Sequence, residues 1–249
     1  MNNTTHLCEL FSSIQGEGYL VGRRQIFIRF PGCNMECRYC DTDHSDSGIF
    51  RQETAPGSSE FHHLQQPVAL DDILVTIEKW IALLPGTHHS ISVTGGEPLL
   101  HVDILNQWLP KLRRLLPIHL ETNGTLPAQL AELLTHLDYI SMDMKLPSAS
   151  GCGEDIWELH RQFLEIAHSS QVSVKIVAGN TATAAEISKA AEIISQVDRN
   201  IPLFIQPLTL LDGRIGISVP HLLKLQELAS TALHDVRVVP QMHKLLGAL

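Results

Sequence analysis

Short apolar runs of strand length alternate with amphipathic stretches of helix length along most of this chain, and that alternation admits few folds. Candidate strands cover 25–30, 90–94, 118–121, 139–143, 173–177 and 203–206, with a seventh run at 236–239. Candidate helices cover 70–84, 102–116, 127–137, 154–169, 184–197 and 219–233. Two carry start signals: Thr183 with Glu186 fits a capping box, and Ser218 before Val219-Pro220 fits an N-cap with an early proline. Parallel strands need long crossovers, usually helical, so this order calls for a parallel sheet covered by helices. Six units predict an α/β fold, a partial (β/α)6 TIM-like barrel, with a doubly wound sheet as the alternative. The 249 residues suffice for one large domain, and a single domain over 1–249 is expected.

Composition narrows the class. An apolar fraction of 44% and a charged fraction of 18% fit an ordered globular chain. The formal net charge is −9 and no Lys/Arg run occurs, which argues against nucleic acid as a partner. No apolar stretch reaches spanning length, and residues 1–6 lack the pattern of a secretory leader, so a cytoplasmic protein away from membranes is expected. Residues 1–24 form an extension before the first candidate strand. Residues 43–67, rich in Ser, His, Gln and Gly without clear period, read as a loop insertion, either functional or a plain surface excursion.

Five cysteines are present, and three crowd into the eight residues from Cys33 to Cys40. In a reducing compartment that clustering reads as a metal site rather than a disulfide framework. The motif Gly32-Cys33-Asn34-Met35-Glu36-Cys37-Arg38-Tyr39-Cys40 follows the first candidate strand directly. Three thiolates leave one coordination position free, as a catalytic centre requires. The competing reading is structural zinc, with His44 as fourth ligand. Cys8 reads as a small buried hydrophobe and Cys152 as a loop residue.

Polar groups collect where the candidate strands end. The second is followed by Thr94-Gly95-Gly96-Glu97-Pro98, and the third by Glu121-Thr122-Asn123-Gly124. The fourth ends in Asp143-Met144-Lys145, the fifth in Ala178-Gly179-Asn180 and the sixth in Gln206-Pro207. Each alone suits a turn. Together they mark one rim, where α/β barrels place their active sites.

Cys-x3-Cys-x2-Cys with an aromatic before its last Cys, joined to Gly-Gly-Glu-Pro after a strand, resembles the radical S-adenosylmethionine (SAM) superfamily. Within it the chain is similar to 7-carboxy-7-deazaguanine synthases. That resemblance rests on Gln15-Gly16-Glu17-Gly18, on Arg29, on Gly32-Cys33-Asn34 with Cys40-Asp41-Thr42, and on the ending Pro240-Gln241-Met242-His243-Lys244. It implies a radical SAM barrel whose reduced [4Fe-4S] cluster cleaves SAM to a 5′-deoxyadenosyl radical. The radical takes hydrogen from 6-carboxy-5,6,7,8-tetrahydropterin, whose ring contracts with loss of ammonia, a carbon–nitrogen lyase reaction on the way to queuosine and other 7-deazapurines. It also implies Mg²⁺, a homodimer, and a flavodoxin- or ferredoxin-like electron donor.

The resemblance assigns Cys33, Cys37 and Cys40 to the cluster and Thr42 to Mg²⁺, with a turn-capping threonine as the alternative. It assigns Tyr39, Gly95, Gly96, Glu97, Asn123, Asp143, Met144, Lys145, Gln206, Pro207, Leu208 and Thr209 to SAM. Tyr39 reads equally as a packing aromatic. Ile14, Gln15, Gly16, Glu17, Arg29 and Thr94 are assigned to the pterin, and with them the resemblance makes residues 1–24 a substrate-binding N-terminal extension. Arg29 suits a carboxylate clamp, the alternative being an ion pair with Glu9 or Glu17. Glu17 either meets the donor edge of the pterin or caps a turn. No protein side chain is expected to be the radical catalyst. Asp143-Met144-Lys145 replaces a more usual Ser-Pro-Lys and resembles the Asp-x-Lys of glycyl-radical-enzyme activases. An activase would lack the Gln-Gly-Glu-Gly element and the Arg29 clamp. The third reading is a zinc-stabilised binding module.

Overall fold

The computed structural model describes residues 3–40 and 42–248. Asp41 of the Cys-Asp-Thr run, and the outermost residues of the expected domain, lie outside these. The order is β1 (Thr4–Thr5), β2 (Glu9–Ile14), β3 (Arg24–Phe30), β4 (Ile49–Glu53), β5 (Phe61–Gln65), β6 (Val68–Ala69), α1 (Leu70–Leu83), β7 (Ser90–Gly95), α2 (Val102–Leu112), β8 (Ile118–Thr122) and α3 (Pro127–Leu133). Then come β9 (Tyr139–Asp143), α4 (Pro147–Ser150), α5 (Ile156–Ala167), β10 (Gln171–Ala178), α6 (Ala184–Val197), β11 (Leu203–Pro207), α7 (Val219–Ser230), β12 (Val236–Val238) and α8 (Met242–Leu246).

Strands β3, β7, β8, β9, β10, β11 and β12 lie side by side in chain order, each parallel to the next. The first six are each followed by helix, which gives the six units expected. Right-handed crossovers with no reversal of strand order keep all the helices on one face. The other face is left for a cavity. The sheet is open, with β12 and β5 at its edges.

Side chains alternate along these strands, and the two sets differ in chemistry. Ile26, Ile28, Phe30, Ile91, Val93, Ile118, Leu120, Ile140, Met142, Val174, Ile176, Leu203 and Ile205 join the helices in the apolar core. The intervening residues are mostly polar, namely Gln25, Arg29, Ser92, Thr94, His119, Glu121, Ser141, Asp143, Lys175 and Gln206, with Phe27, Val177 and Phe204 as apolar exceptions. Parallel strands buried on both faces read as continuous apolar runs. Here one residue in two is polar, because the inner face surrounds a site. Helix α1 shows the matching outer pattern: Leu70, Ile73, Ile77 and Trp80 form its buried stripe. The capping box at Thr183 and Glu186 is formed, and Ser218 accepts the His221 N–H.

Two expectations need correcting. Residues 43–67 are not simply a loop. They contain the antiparallel hairpin β4–β5, and β4 pairs in parallel with β2. Phe50 enters the core, and buried Glu53 accepts N–H groups from Ser12, Gly57 and Ser59 at 2.8–3.0 Å. The period was hidden because β5 is an edge strand with little to bury. Residues 1–24 are likewise more than an extension, since β2 runs antiparallel to β3 within the main sheet.

Candidate active site

The cysteine loop leaves the end of β3 and is clamped from both sides. Gly32 donates to the His44 carbonyl at 2.7 Å, and Glu97 N–H donates to the Gly32 carbonyl at 2.9 Å. A Cβ on Gly96 would stand 2.1 Å from the Gly32 oxygen, so glycine there lets the β7 turn lie flat against the cysteine loop. Cys33, Cys37 and Cys40 line one cavity with Gly95 and Gly96. Burial pushes the Cys33 and Cys37 thiols up, with the neighbouring sulfurs adding to it. Metal binding would therefore release protons. Asn123 ties the next strand end to the loop, donating to Asn34 Oδ1 at 2.8 Å and approaching Cys33 Sγ at 3.9 Å.

A chain of charges crosses the cavity. Lys145 Nζ lies 5.2 Å from the centre of the Tyr39 ring and 2.8 Å from Asp143 Oδ2. Lys175 Nζ meets the same oxygen at 3.1 Å and also pairs with Glu17. Glu17 Oε1 accepts from Gln206 at 3.1 Å and from Gln241 at 2.9 Å. Burial alone would raise the Asp143 carboxyl, but Lys145 and Lys175 outweigh it and hold it at about 2. Burial likewise opposes, and Lys175 overcomes, for Glu17, whose carboxyl falls below its ordinary value. Among the described residues, Asp143 Oδ1 is buried without a partner. An acceptor stranded beside a cavity is a place for a donor group on a bound molecule.

Below this chain, Gln15 turns inward from the end of β2. Its amide donates to Gln25 Oε1 and to Glu121 Oε1, each at 2.9 Å. Ser92 donates to the same Glu121 oxygen at 2.6 Å. The C-terminal segment closes over this floor: Met242 N–H donates to the Gly16 carbonyl at 3.0 Å, and a Cβ on Gly16 would strike the His243 ring. Arg29 lines the cavity while its Nε donates to Glu9 at 2.9 Å, and Arg51 holds the other Glu9 oxygen at 2.7 Å. The Glu9 ion pair considered from sequence is thus present, and Arg29 faces the cavity as well. Cys8, half-buried, is pushed up to about 11 mainly by burial, and Cys152 lies in a loop.

Most residues singled out from sequence meet here. Ile14, Gln15, Gly16, Glu17, Arg29, Thr94, Tyr39, Thr42, Asn123, Asp143, Lys145, Gln206, Leu208 and Thr209 line the cavity with the three cysteines and two glycines. Three do not. Met144 and Pro207 fall at the outward parity of β9 and β11 and are buried. Glu97 is fully buried behind the rim, where it accepts from Thr122 Oγ1 at 2.9 Å, Asn123 N–H at 2.7 Å and Leu99 N–H at 3.0 Å. Burial pushes its carboxyl up to about 7 against these donors. Its visible work is to brace the β7 and β8 turns, rather than to face a ligand. Lys175, Glu121, Gln241, His243 and Lys244 line the cavity although the sequence reading assigned none of them to a ligand. The signal for Lys175 was a cation amid an otherwise apolar run.

The radical SAM superfamily model matches residues 27–194. The chain is 50% identical over 242 residues to a 7-carboxy-7-deazaguanine synthase of Geobacter sulfurreducens, covering 97% of this chain and 96% of that one. The chain belongs to the 7-carboxy-7-deazaguanine synthase family of radical SAM proteins. A second synthase of the family, from Methanothermobacter thermautotrophicus, is 39% identical over 262 residues, covering 97% and 96%. The crystal structure of QueE from Escherichia coli shares the fold, with a TM-score of 0.57, 20% identity and coverage of 96% and 95%. Membership removes the activase and zinc-module readings. The superfamily carries a [4Fe-4S] cluster and SAM, and the residues present fit both. The donor set is three thiols on one cavity wall. Among the described residues no three His, Cys, Asp or Glu side chains converge as one metal ion would need. Thiolates on separate corners of a cubane tolerate that spread. The Asp143 oxygen left without a partner among the described residues is an acceptor open to a bound molecule.

Proposed function

We infer that this chain is a radical SAM carbon–nitrogen lyase that converts 6-carboxy-5,6,7,8-tetrahydropterin to 7-carboxy-7-deazaguanine with loss of ammonia, in 7-deazapurine biosynthesis. The observation that carries it is the 50% identity to a curated synthase along nearly the whole of both chains. Cluster and SAM together supply a reducing electron and a carbon-centred radical able to take a hydrogen atom. The chain's own residues bind, orient and enclose.

Cys33, Cys37 and Cys40 would hold the cluster through three thiolates, one fewer than the irons of a [4Fe-4S] group. Asp143 and Lys145 present an acceptor and a donor beside Tyr39, where the SAM end of the cavity lies, and Gly95, Asn123, Leu208 and Thr209 border it. Gln15 and Glu17 meet the pterin from below, and Arg29 with Thr94 meets it from β3 and β7. The guanidinium is the natural partner for the pterin carboxylate. Lys175, fixed between Asp143 and Glu17 with its pKa raised despite burial, is a standing cation and not a proton acceptor. Thr42 would offer Mg²⁺ a hydroxyl oxygen, the kind of donor that hard ion takes. A homodimer and a flavodoxin- or ferredoxin-like donor are carried over from the family resemblance, and a cytoplasmic location from the apolar patterning of the sequence. No helix among the described residues is long and apolar enough to cross a membrane.

Arg29→Ala tests the assignment. Protein reconstituted without oxygen should be brown, and the variant should keep its iron while losing at least tenfold in pterin turnover. Unchanged turnover would remove Arg29 from the substrate site and with it the main physical support for a carboxylated pterin.

A further inference from the structure

Between the residues assigned to the two ends of the pterin stands an aromatic pair with no role so far. Phe11 on β2 and Phe27 on β3 are cross-strand partners and so share a face. Their rings stack, with centroids 4.9 Å apart and planes within 7°. Both line the cavity. The Arg29 guanidinium lies over the Phe11 ring, its carbon 5.6 Å from the centroid, a cation–π contact. Along β3 the inward residues are Gln25, Phe27 and Arg29, roughly 6.6 Å from one to the next at two residues each. Gln25 is bonded to Gln15 at the floor. Phe27 therefore sits one step above the floor and one step below the carboxylate clamp. Across from it the inner face carries Glu121, Ser141 and Lys175. An aromatic surface on a largely polar inner face, with a cation at one end and amides at the other, fits a fused heterocycle that has a planar ring and bears a carboxylate.

We propose that Phe27 is a specificity-determining residue whose ring packs against the fused ring of the substrate, and that Phe11 is a positioning residue that sets the plane of Phe27 and supports Arg29. This deepens the proposed function and rests on it. The pyrimidine half of a tetrahydropterin is planar and lies against the wall, while Arg29 takes the carboxylate and Gln15 the opposite edge. The wall thereby favours a bicycle with a planar ring over a fully saturated or single-ring carboxylate of like charge.

The test uses the full chain loaded with its cluster under anaerobic conditions. Phe27→Leu keeps apolar bulk and removes the aromatic face; Phe27→Tyr keeps the face. Phe27→Leu should raise the pterin KM, and weaken binding of 6-carboxypterin followed by its own fluorescence, by roughly threefold to tenfold. Its KM for SAM should stay within about twofold, and Phe27→Tyr should stay near wild type on both. Unmoved pterin values, or both KM values rising together, would reduce Phe27 to a packing residue. Should Phe27→Leu fail to fold, unaltered protein gives the answer: 2-naphthoate should displace 6-carboxypterin at least threefold more effectively than its decahydro counterpart, and parity would overturn the wall. If native protein cleaves SAM but leaves the tetrahydropterin untouched, the proposed function fails while the binding series still reports on the wall.

Discussion

Asp143 answers to two lysines at once, and that fixes how it should respond to pH. Its carboxyl, held at about 2 against an ordinary 3.8, takes up its proton later in the folded state than in the unfolded one. The native state thus binds fewer protons between those values, and stability rises with pH there. About 2 kcal/mol is present above pH 3.8 and is lost as pH falls toward 2. Asp143→Asn should destabilise the protein at pH 7, and the gap from wild type should narrow by that amount on acidification, followed by urea unfolding at each pH. Glu97 makes a different claim. Glu97→Gln turns an amide toward the Thr122 and Asn123 donors, costing about 1–3 kcal/mol, and the melting temperature should fall by several degrees. The Gly-Gly-Glu-Pro run announced a rim, and Gly95 and Gly96 are on it. What the run did not reveal is that Glu97 points away. Side-chain direction at a turn depends on neighbouring segments, here Leu99 and Thr122-Asn123, the second up to 26 residues away from Glu97. Met144 and Pro207 could have been set aside from sequence, because strand parity puts them opposite Asp143 and Gln206.

Among elements, the hairpin β4–β5 does most that its sequence conceals. It lengthens the sheet beyond β2 and delivers Glu53 to three backbone N–H groups. Glu53→Ala would leave Ser12, Gly57 and Ser59 without that acceptor. Amide exchange should speed up across residues 49–65 and in β2, while β8 to β11 keep their protection; uniform change throughout would show that the hairpin is not held by this carboxylate. Strands β7 to β11 were legible because short runs with apolar residues at alternate positions, set between helices, have one plausible use. The hairpin was not, because Phe50 is an isolated apolar signal and β5 presents an exposed edge. Helix α6 was legible to the residue, since its capping box is a local interaction that needs no tertiary partner.

At the scale of the whole molecule, the two ends of the chain meet across the barrel. Gln241 bonds to Glu17, Met242 to Gly16, and the ring of His243 occupies the space a side chain at position 16 would need. A chain ending at Val239 should keep the iron of one [4Fe-4S] cluster but show a several-fold higher pterin KM. Equal loss of iron and of pterin affinity would instead mean that the segment supports the barrel as a whole. The parallel order of strands was readable from sequence, because chain connectivity nearly dictates it. The closing of the floor by the C-terminus was not, because nothing local in residues 240–244 says what they will cover. The central claim is that three thiolates at one end of this barrel and a carboxylate clamp on its wall together carry out a ring contraction. Anaerobic incubation of the reconstituted protein with SAM, a reductant and 6-carboxy-5,6,7,8-tetrahydropterin, read by mass spectrometry, tests it most directly. The account predicts 7-carboxy-7-deazaguanine accumulating as the pterin is consumed; SAM cleaved with the pterin left intact would contradict it.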